Sequence, residues 1–172
     1  MALSPTDRGT GSDNSASASL ACAPSSTIAA GSLGVLGIVC DNAGASGANP
    51  IVGVMSIGDG ILDSVGNRWY LRTVRAQSPG SVADDGVALL IFECPILLTA
   101  LTSGDSLTVT FAVPVTAKTY VFAQISSAAG TYPEGSAAVG ASGASTTPSV
   151  TTGSVASGTL VLGLMGAEQG NG

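Results

Sequence analysis

The sequence predicts an all-β fold, an antiparallel β-sandwich, and three observations carry that expectation. Short runs rich in Val, Leu and Ile are punctuated throughout by Gly, Asp, Asn and Pro. Several runs alternate apolar with polar residues, the two-residue period of a strand with one buried and one wet face. No long window repeats apolar residues at the spacing of three and four that an amphipathic helix requires. The 172 residues suit one domain. A chain of this length buries roughly two-thirds of its unfolded surface, so neither disulfides nor metals are required for stability.

Residues 1–16 are polar and carry Arg8, Gly9, Gly11, Asp13 and Asn14 without periodicity, which predicts a flexible N-terminal arm outside the core. Residues 17–172 are assigned to the sandwich. Leu33–Cys40 is an apolar run on both faces. Ser64-Val65-Gly66-Asn67 reads as a hairpin turn joining the Val54–Ile61 region to a strand over Asn67–Arg75. In that strand Trp69, Leu71 and Thr73 are expected inward, and Arg68, Tyr70 and Arg72 outward. Gly86–Cys94 again has two apolar faces, Val87, Leu89 and Ile91 on one and Ala88, Leu90, Phe92 and Cys94 on the other. The clearest strand is Ser106–Val113, with Leu107, Val109, Phe111 and Val113 inward and Pro114 marking its end.

The stretch between Ser126 and Gly158, rich in Ala, Gly, Ser and Thr, reads as a long loop with one short strand near Pro148–Thr152. Leu160–Met165 reads as a final strand, apolar on both faces. Its surroundings, Gly158–Glu168, echo Gly31–Asp41: a small residue, an apolar strand, then an acid. The closing Gln-Gly-Asn-Gly has hairpin-turn composition, which leaves a further C-terminal segment as an open expectation. Sandwich strands normally keep a polar outer face. Strands apolar on both faces therefore imply a cover, either a loop or another subunit.

The composition removes most catalytic chemistry. Histidine is absent and Lys118 is the only lysine, so no Ser–His–Asp, Cys–His or histidine–metal arrangement can form. GxSxG, CxxC, P-loop and GxGxxG patterns are missing, as are the spaced acids of an EF-hand loop. Asp59 with Asp63, or Asp84 with Asp85, are formal carboxylate pairs, but their setting beside glycines reads as turns. Catalytic, metal-binding and cofactor-binding residues are therefore not expected, and the chain reads as non-enzymatic. Trp69, Tyr70, Tyr120 and Tyr132 are the only large candidates for a sugar platform. Aromatics are just 4% of the chain and Trp69 alternates with the inward row, so a core tryptophan is the better reading. Cys22, Cys40 and Cys94, an odd set in apolar surroundings, read as buried reduced thiols made in a reducing cytoplasm.

Charged residues are 9% of the chain and the net charge is −6, too little basic charge to neutralise several phosphates, so nucleic acid is not an expected partner. Arg68, Arg72 and Arg75 read first as a solvated strand face pairing with Asp84 and Asp85, and second as a docking patch. The longest apolar stretch, Val87–Leu101, is interrupted by Glu93 and Pro95 and falls short of the ~18 residues of a membrane helix. The opening MALSPTDRGTGSDN lacks a basic segment followed by an apolar core, so a signal peptide is not expected.

The order of motifs is distinctive: RGTGSDN at Arg8–Asn14, AAGSLGVLGIVCDNAG at Ala29–Gly44, DSVGNRWYLR at Asp63–Arg72, LTSGDSLTVTF at Leu101–Phe111 and PVTAK at Pro114–Lys118. It resembles the β-sandwich structural proteins of tailed bacteriophages, above all small head-decoration or cement proteins, with related modules in tail fibres. The resemblance covers most of the chain and lies in the texture of turns and strands, not in a reactive signature, so no functional residues carry over one by one. It implies a jelly-roll-like fold and a trimer bound at threefold or quasi-threefold positions of the capsid exterior. Its partners would be copies of itself and the major capsid protein, and its location the virion, after synthesis in the host cytoplasm. On this reading the arm, through Arg8, Asp13 and Asn14, and the Arg68/Arg72 face are the expected capsid contacts. The arm would add to a capsid strand edge by main-chain pairing. Leu160, Val161, Leu162 and Met165 are the expected subunit contact, because an open terminal edge apolar on both faces invites aggregation. The competing expectation is a tail- or fibre-associated adhesin for host-surface carbohydrate. A secreted carbohydrate-active module ranks third, for want of a signal peptide.

Overall fold

The computed structural model describes residues 3–41, 58–76, 86–127, 149–151, 154 and 159–166. Among the described residues the expected all-β architecture is present, with eight strands and no helix: β1 (Leu3–Asp13), β2 (Ser17–Cys22), β3 (Leu33–Asp41), β4 (Gly60–Leu62), β5 (Arg68–Ala76), β6 (Val87–Cys94), β7 (Leu107–Val115) and β8 (Lys118–Ser127). They form a six-stranded sheet in the order β1-β8-β3-β6-β5-β4 and a two-stranded sheet, β2-β7. Every paired neighbour is antiparallel.

Alternation decides which face each strand buries. Ala88, Leu90, Phe92 and Cys94 of β6 are buried, as are Leu36, Ile38 and Cys40 of β3. They share one core with Leu20 and Cys22 of β2 and with Leu107, Val109, Phe111 and Val115 of β7. Trp69 is fully buried, as its inward row implies, and meets the Phe122 ring edge-on at 5.7 Å. Its indole lies against Gly34, where a side-chain Cβ would stand 2.5 Å from the ring.

The hairpin between β4 and β5 is where the expectation says turn and the structure adds a buried polar knot. Asp63 is 6% exposed. Its Oδ1 accepts from the main-chain N–H of Val65 (3.1 Å) and Asn67 (2.8 Å). Its Oδ2 accepts from Asn67 Nδ2 (2.9 Å) and from Trp69 Nε1 (3.0 Å). Asn67 completes its own set by donating to the Thr99 carbonyl and accepting from the N–H groups of Leu98 and Thr99, all at 2.9 Å. Gly66, at φ +89°, supplies the left-handed residue that closes the turn.

Five expectations are corrected. In β5 the register slips between Leu71 and Thr73, so Thr73, expected inward, pairs with outward-facing Ile91, and Val74 and Ala76 pack on the core instead. The polar start is not an arm: Leu3–Asp13 is an edge strand, paired with β8 from Leu3↔Ser127 to Asp13↔Lys118. Its side chains are exposed or half-buried, so main-chain pairing holds it and no apolar period marks it. The Ser106–Val113 strand does not stop at Pro114. β7 runs to Val115, and Val113, expected inward, is exposed. β7 pairs only with β2, whose register slips between Ser17 and Ser19 opposite this point, so the missing proline N–H is tolerated. Leu160–Met165 is not a strand: it runs outside any ladder. Of the short strand expected near Pro148–Thr152, residues 149–151 are described and lie outside any strand. Val54, Asp84, Asp85, Tyr132 and the Gln-Gly-Asn-Gly ending lie outside the described residues.

Cys22, Cys40 and Cys94 are buried and unbridged. Burial pushes the Cys22 and Cys40 thiols up to about 12 and that of Cys94 to about 11. An unfolded thiol ionises near 8.5, so the share of stability these groups carry is complete below that pH and is lost as pH rises towards their folded values. Melting temperature is therefore expected to fall between pH 9 and 11, and to fall less steeply in Cys22→Ala. An Ellman titration at pH 8 should find no reactive thiol in the native protein and three in denaturant. Replacing Asp63 with Ala leaves the indole N–H and two main-chain donors without their acceptor, and the Asn67 amide with only the Thr99 carbonyl. It is expected to cost at least about 3 kcal/mol in urea unfolding followed by Trp69 fluorescence, and a cost under about 1 kcal/mol would remove the knot from its structural role.

Candidate functional site

The outer face of the six-stranded sheet carries a second apolar layer. Val35 and Val39 of β3, Val87, Leu89 and Ile91 of β6, and Val121 and Ala123 of β8 alternate away from the core and are half-buried. The register sets Gly37 between Ile91 and Val121, and Val39 between Leu89 and Thr119. With no side chain at Gly37, the layer has a pit at its centre.

Residues 159–166 lie across this face as a strap. A Cβ at Gly37 would stand 3.0 Å from both methyls of Leu164 and 3.3 Å from Val121 Cγ1, so the leucine fills the pit. A Cβ at Gly166 would stand 2.6 Å from Val39 Cγ1, 3.0 Å from Val87 Cγ2 and 3.2 Å from Leu89 Cδ2, so only glycine lets the chain sit this close. Leu160 and Leu164 are half-buried, while Val161, Leu162 and Met165 are 52%, 44% and 66% exposed. The cover expected over the apolar outer face is thus, in part, the chain's own segment.

At the β5 side of the face, Arg72 donates Nε to Glu93 Oε2 at 3.0 Å and lies 5.7 Å from the centre of the Tyr70 ring. Its described partner is thus Glu93 on the neighbouring strand, while Asp84 and Asp85 lie outside the described residues. Arg75 donates to the Val74 carbonyl at 2.9 Å, and Arg68 is exposed with its stem over Gly60.

The opposite edge is β1, and the RGTGSDN segment has a local physical reason at each small residue. Gly9 sits at φ +116° where the register with β8 shifts, and a Cβ there would collide with Ser25. The Arg8 carbonyl accepts from Ser25 N (2.8 Å) and Ser26 N (3.3 Å). Gly11 lets the Tyr120 ring cross β1, so that its hydroxyl reaches the N–H and carbonyl of Ala23 at 3.2 and 3.1 Å. Asp13 binds Ser15 through both its hydroxyl (2.6 Å) and its N–H (2.8 Å), bonds that hold its carboxyl below the usual range, helped by Lys118 at 3.3 Å. Lys118 is 1% exposed and donates to the carbonyls of Ser15 (2.6 Å) and Val115 (2.5 Å).

These positions do not gather into one patch. Arg8, Asp13 and exposed Asn14 belong to the β1 edge. Arg68 and Arg72 lie four strands away, about 19 Å at the usual inter-strand spacing. Leu160, Val161, Leu162 and Met165 belong to the strap between these edges. Two polar positions escaped the sequence reading: the Asp63 knot and the buried lysine. Lys118 alternates in phase with Tyr120 and Phe122, a signal that assigns it to the inward row.

Among the described residues no group of three His, Cys, Asp or Glu is placed to hold a metal ion, and no helix is long and apolar enough to cross a membrane. No family model matches the sequence, and neither a curated protein nor a solved structure matches the chain. Gly37→Val is expected to lift the strap without touching the inner core. Limited proteolysis should then cut within 159–166 at least several-fold faster, while the Trp69 emission maximum stays where it is. An unchanged cleavage rate would mean that Leu164 is not seated on Gly37.

Proposed function

We propose that this chain is a non-enzymatic structural protein that binds the outside of a tailed-phage capsid as an oligomer and stabilises the shell. The observation that carries the reading is strand order. In an eight-stranded jelly roll, two Greek keys run β1-β8-β3-β6 in one sheet and β2-β7-β4-β5 in the other. Here β1-β8-β3-β6 occurs in that order, and β2-β7 and β4-β5 are each paired. The Ser64 N–H donates to the Ser106 carbonyl at 2.9 Å, linking the β4–β5 turn to the residue before β7. The β5–β6 ladder then joins the two quartets along one side. Jelly rolls are recurrent in viral capsid proteins, and the motif order resembling decoration proteins selects that use of the fold over others.

Surface features fit a protein that works by adhesion. β1 pairs only with β8 among the described residues, so on either side of Arg8, whose carbonyl Ser25 and Ser26 hold, its outer edge offers main-chain groups to a neighbouring strand. The strap's exposed Val161, Leu162 and Met165 suit a contact between copies, here a trimer. Several such weak contacts made together hold far more firmly than one. Arg68, exposed at the other edge, is the basic residue best placed to meet an acidic shell.

The test is co-sedimentation of the purified chain with undecorated capsids, with its mass read by light scattering. Binding as a trimer is expected. Arg68→Ser should weaken it several-fold and flatten its salt dependence, because exposed ion pairs are screened within about 8–10 Å at physiological salt. Glycan binding with no affinity for capsids would overturn the reading in favour of the adhesin.

A further inference from the structure

The strap is held in a way that no strand of this protein is. It joins no ladder, and its described hold is side-chain seating: Leu164 on Gly37, and Gly166 against Val39, Val87 and Leu89. Only one row of it is seated. Val161, Leu162 and Met165 face outward and stay largely exposed. From these contacts we infer that the trough across β8, β3 and β6 is a docking seat for the Leu160–Gly166 segment of a second copy of this chain, passed from each subunit to the next around the oligomer.

Three observations support that occupant. The trough's chemistry is stated by what fills it here, an extended apolar segment with a leucine and, two residues on, a glycine, and an identical copy supplies the same residues. The seated contacts are the same whether the segment comes from its own chain or from a neighbour, so exchange sacrifices none of them. Reach is ample as well. Ser127, the end of β8, and Leu160 are separated by 32 residues, a contour of at most about 110 Å, against a diameter of roughly 40 Å for a domain of this size. A neighbour placed over the strap also covers the outward row that a single copy leaves in water. This inference rests on the proposed self-assembly, and the experiment below separates the two.

Gly166 and Val39 supply a geometric reporter. A Cβ at 166 would lie 2.6 Å from Val39 Cγ1, which puts the two Cβ positions at most about 4 Å apart, close enough for a disulfide to reach. The native thiols are buried in the folded protein and do not compete when oxidation follows refolding under reducing conditions. One chain carries Val39→Cys, a second carries Gly166→Cys, and a third carries both. Neither single variant can close this bridge within itself. In an oxidised mixture of the first two, co-refolded at a concentration where the wild type is oligomeric, a disulfide-linked species of two-chain mass is expected, absent from each variant alone. The inference is overturned if the mixture gives no such species while the double variant closes within one chain at every concentration. Light scattering on the wild type answers the other question. An oligomer without cross-chain bridging removes strap exchange and leaves assembly standing, whereas a monomer at micromolar concentration removes both.

Discussion

A carboxylate with four donors aimed at it, and little water within reach, leaves its surroundings few ways to rearrange. Asp63 holds the β4–β5 turn through two main-chain N–H groups, fixes the Asn67 amide and takes the indole proton of Trp69. Asn67 passes that constraint to the 98–99 segment, which lies between β6 and β7. Trp69 passes it to Gly34 of β3 and to Phe122 of β8. Three strands of the six-stranded sheet and the loop leading to β7 are thus referenced to one buried acid. Networks of this kind specify a single arrangement because each member, deprived of its partner, has no alternative in a dry interior.

The same sheet that closes the core on one side is apolar on the other, and this second layer shapes the protein's surface. A sandwich strand facing solvent would carry polar residues at 35, 39, 87, 89, 91 and 121. This chain has Val, Val, Val, Leu, Ile and Val there. The strap relieves part of that exposure and, in doing so, creates a new ridge of its own. Apolar surface is moved outward by one layer and not eliminated, which is the physical basis for expecting a partner above it.

The elements legible in the sequence were those whose alternation meets a two-sided environment. β6, the first half of β5 as far as Leu71 and the first half of β7 follow their side-chain period closely, and the Ser64–Asn67 turn lies where glycine and asparagine place it. β1 was illegible because an edge strand held by main-chain bonds needs no apolar row; its glycines at 9 and 11 look like loop residues and are in fact clearances for Ser25 and Tyr120. The strap was misread for the opposite reason. An apolar segment looks the same in sequence whether it joins a ladder or lies across one, and the deciding feature, the pit at Gly37, is more than a hundred residues away. Arg72 shows the same limit, since cross-strand register brings Glu93 to it from 21 residues away. Of the candidate contacts, the residue types were readable but their separation across the sheet was not.

The position of Lys118 has a bearing on how the folded protein can be handled. The only lysine of the chain is closed off beneath the β1–β2 turn, its amine turned to two carbonyls and one carboxylate. The folded surface therefore offers no lysine to acylating reagents, to amine-directed coupling resins or to enzymes that build isopeptide bonds on lysine. Acylation at this position requires the amine to leave Asp13, Ser15 and Val115 first, so its rate counts the local openings of that corner.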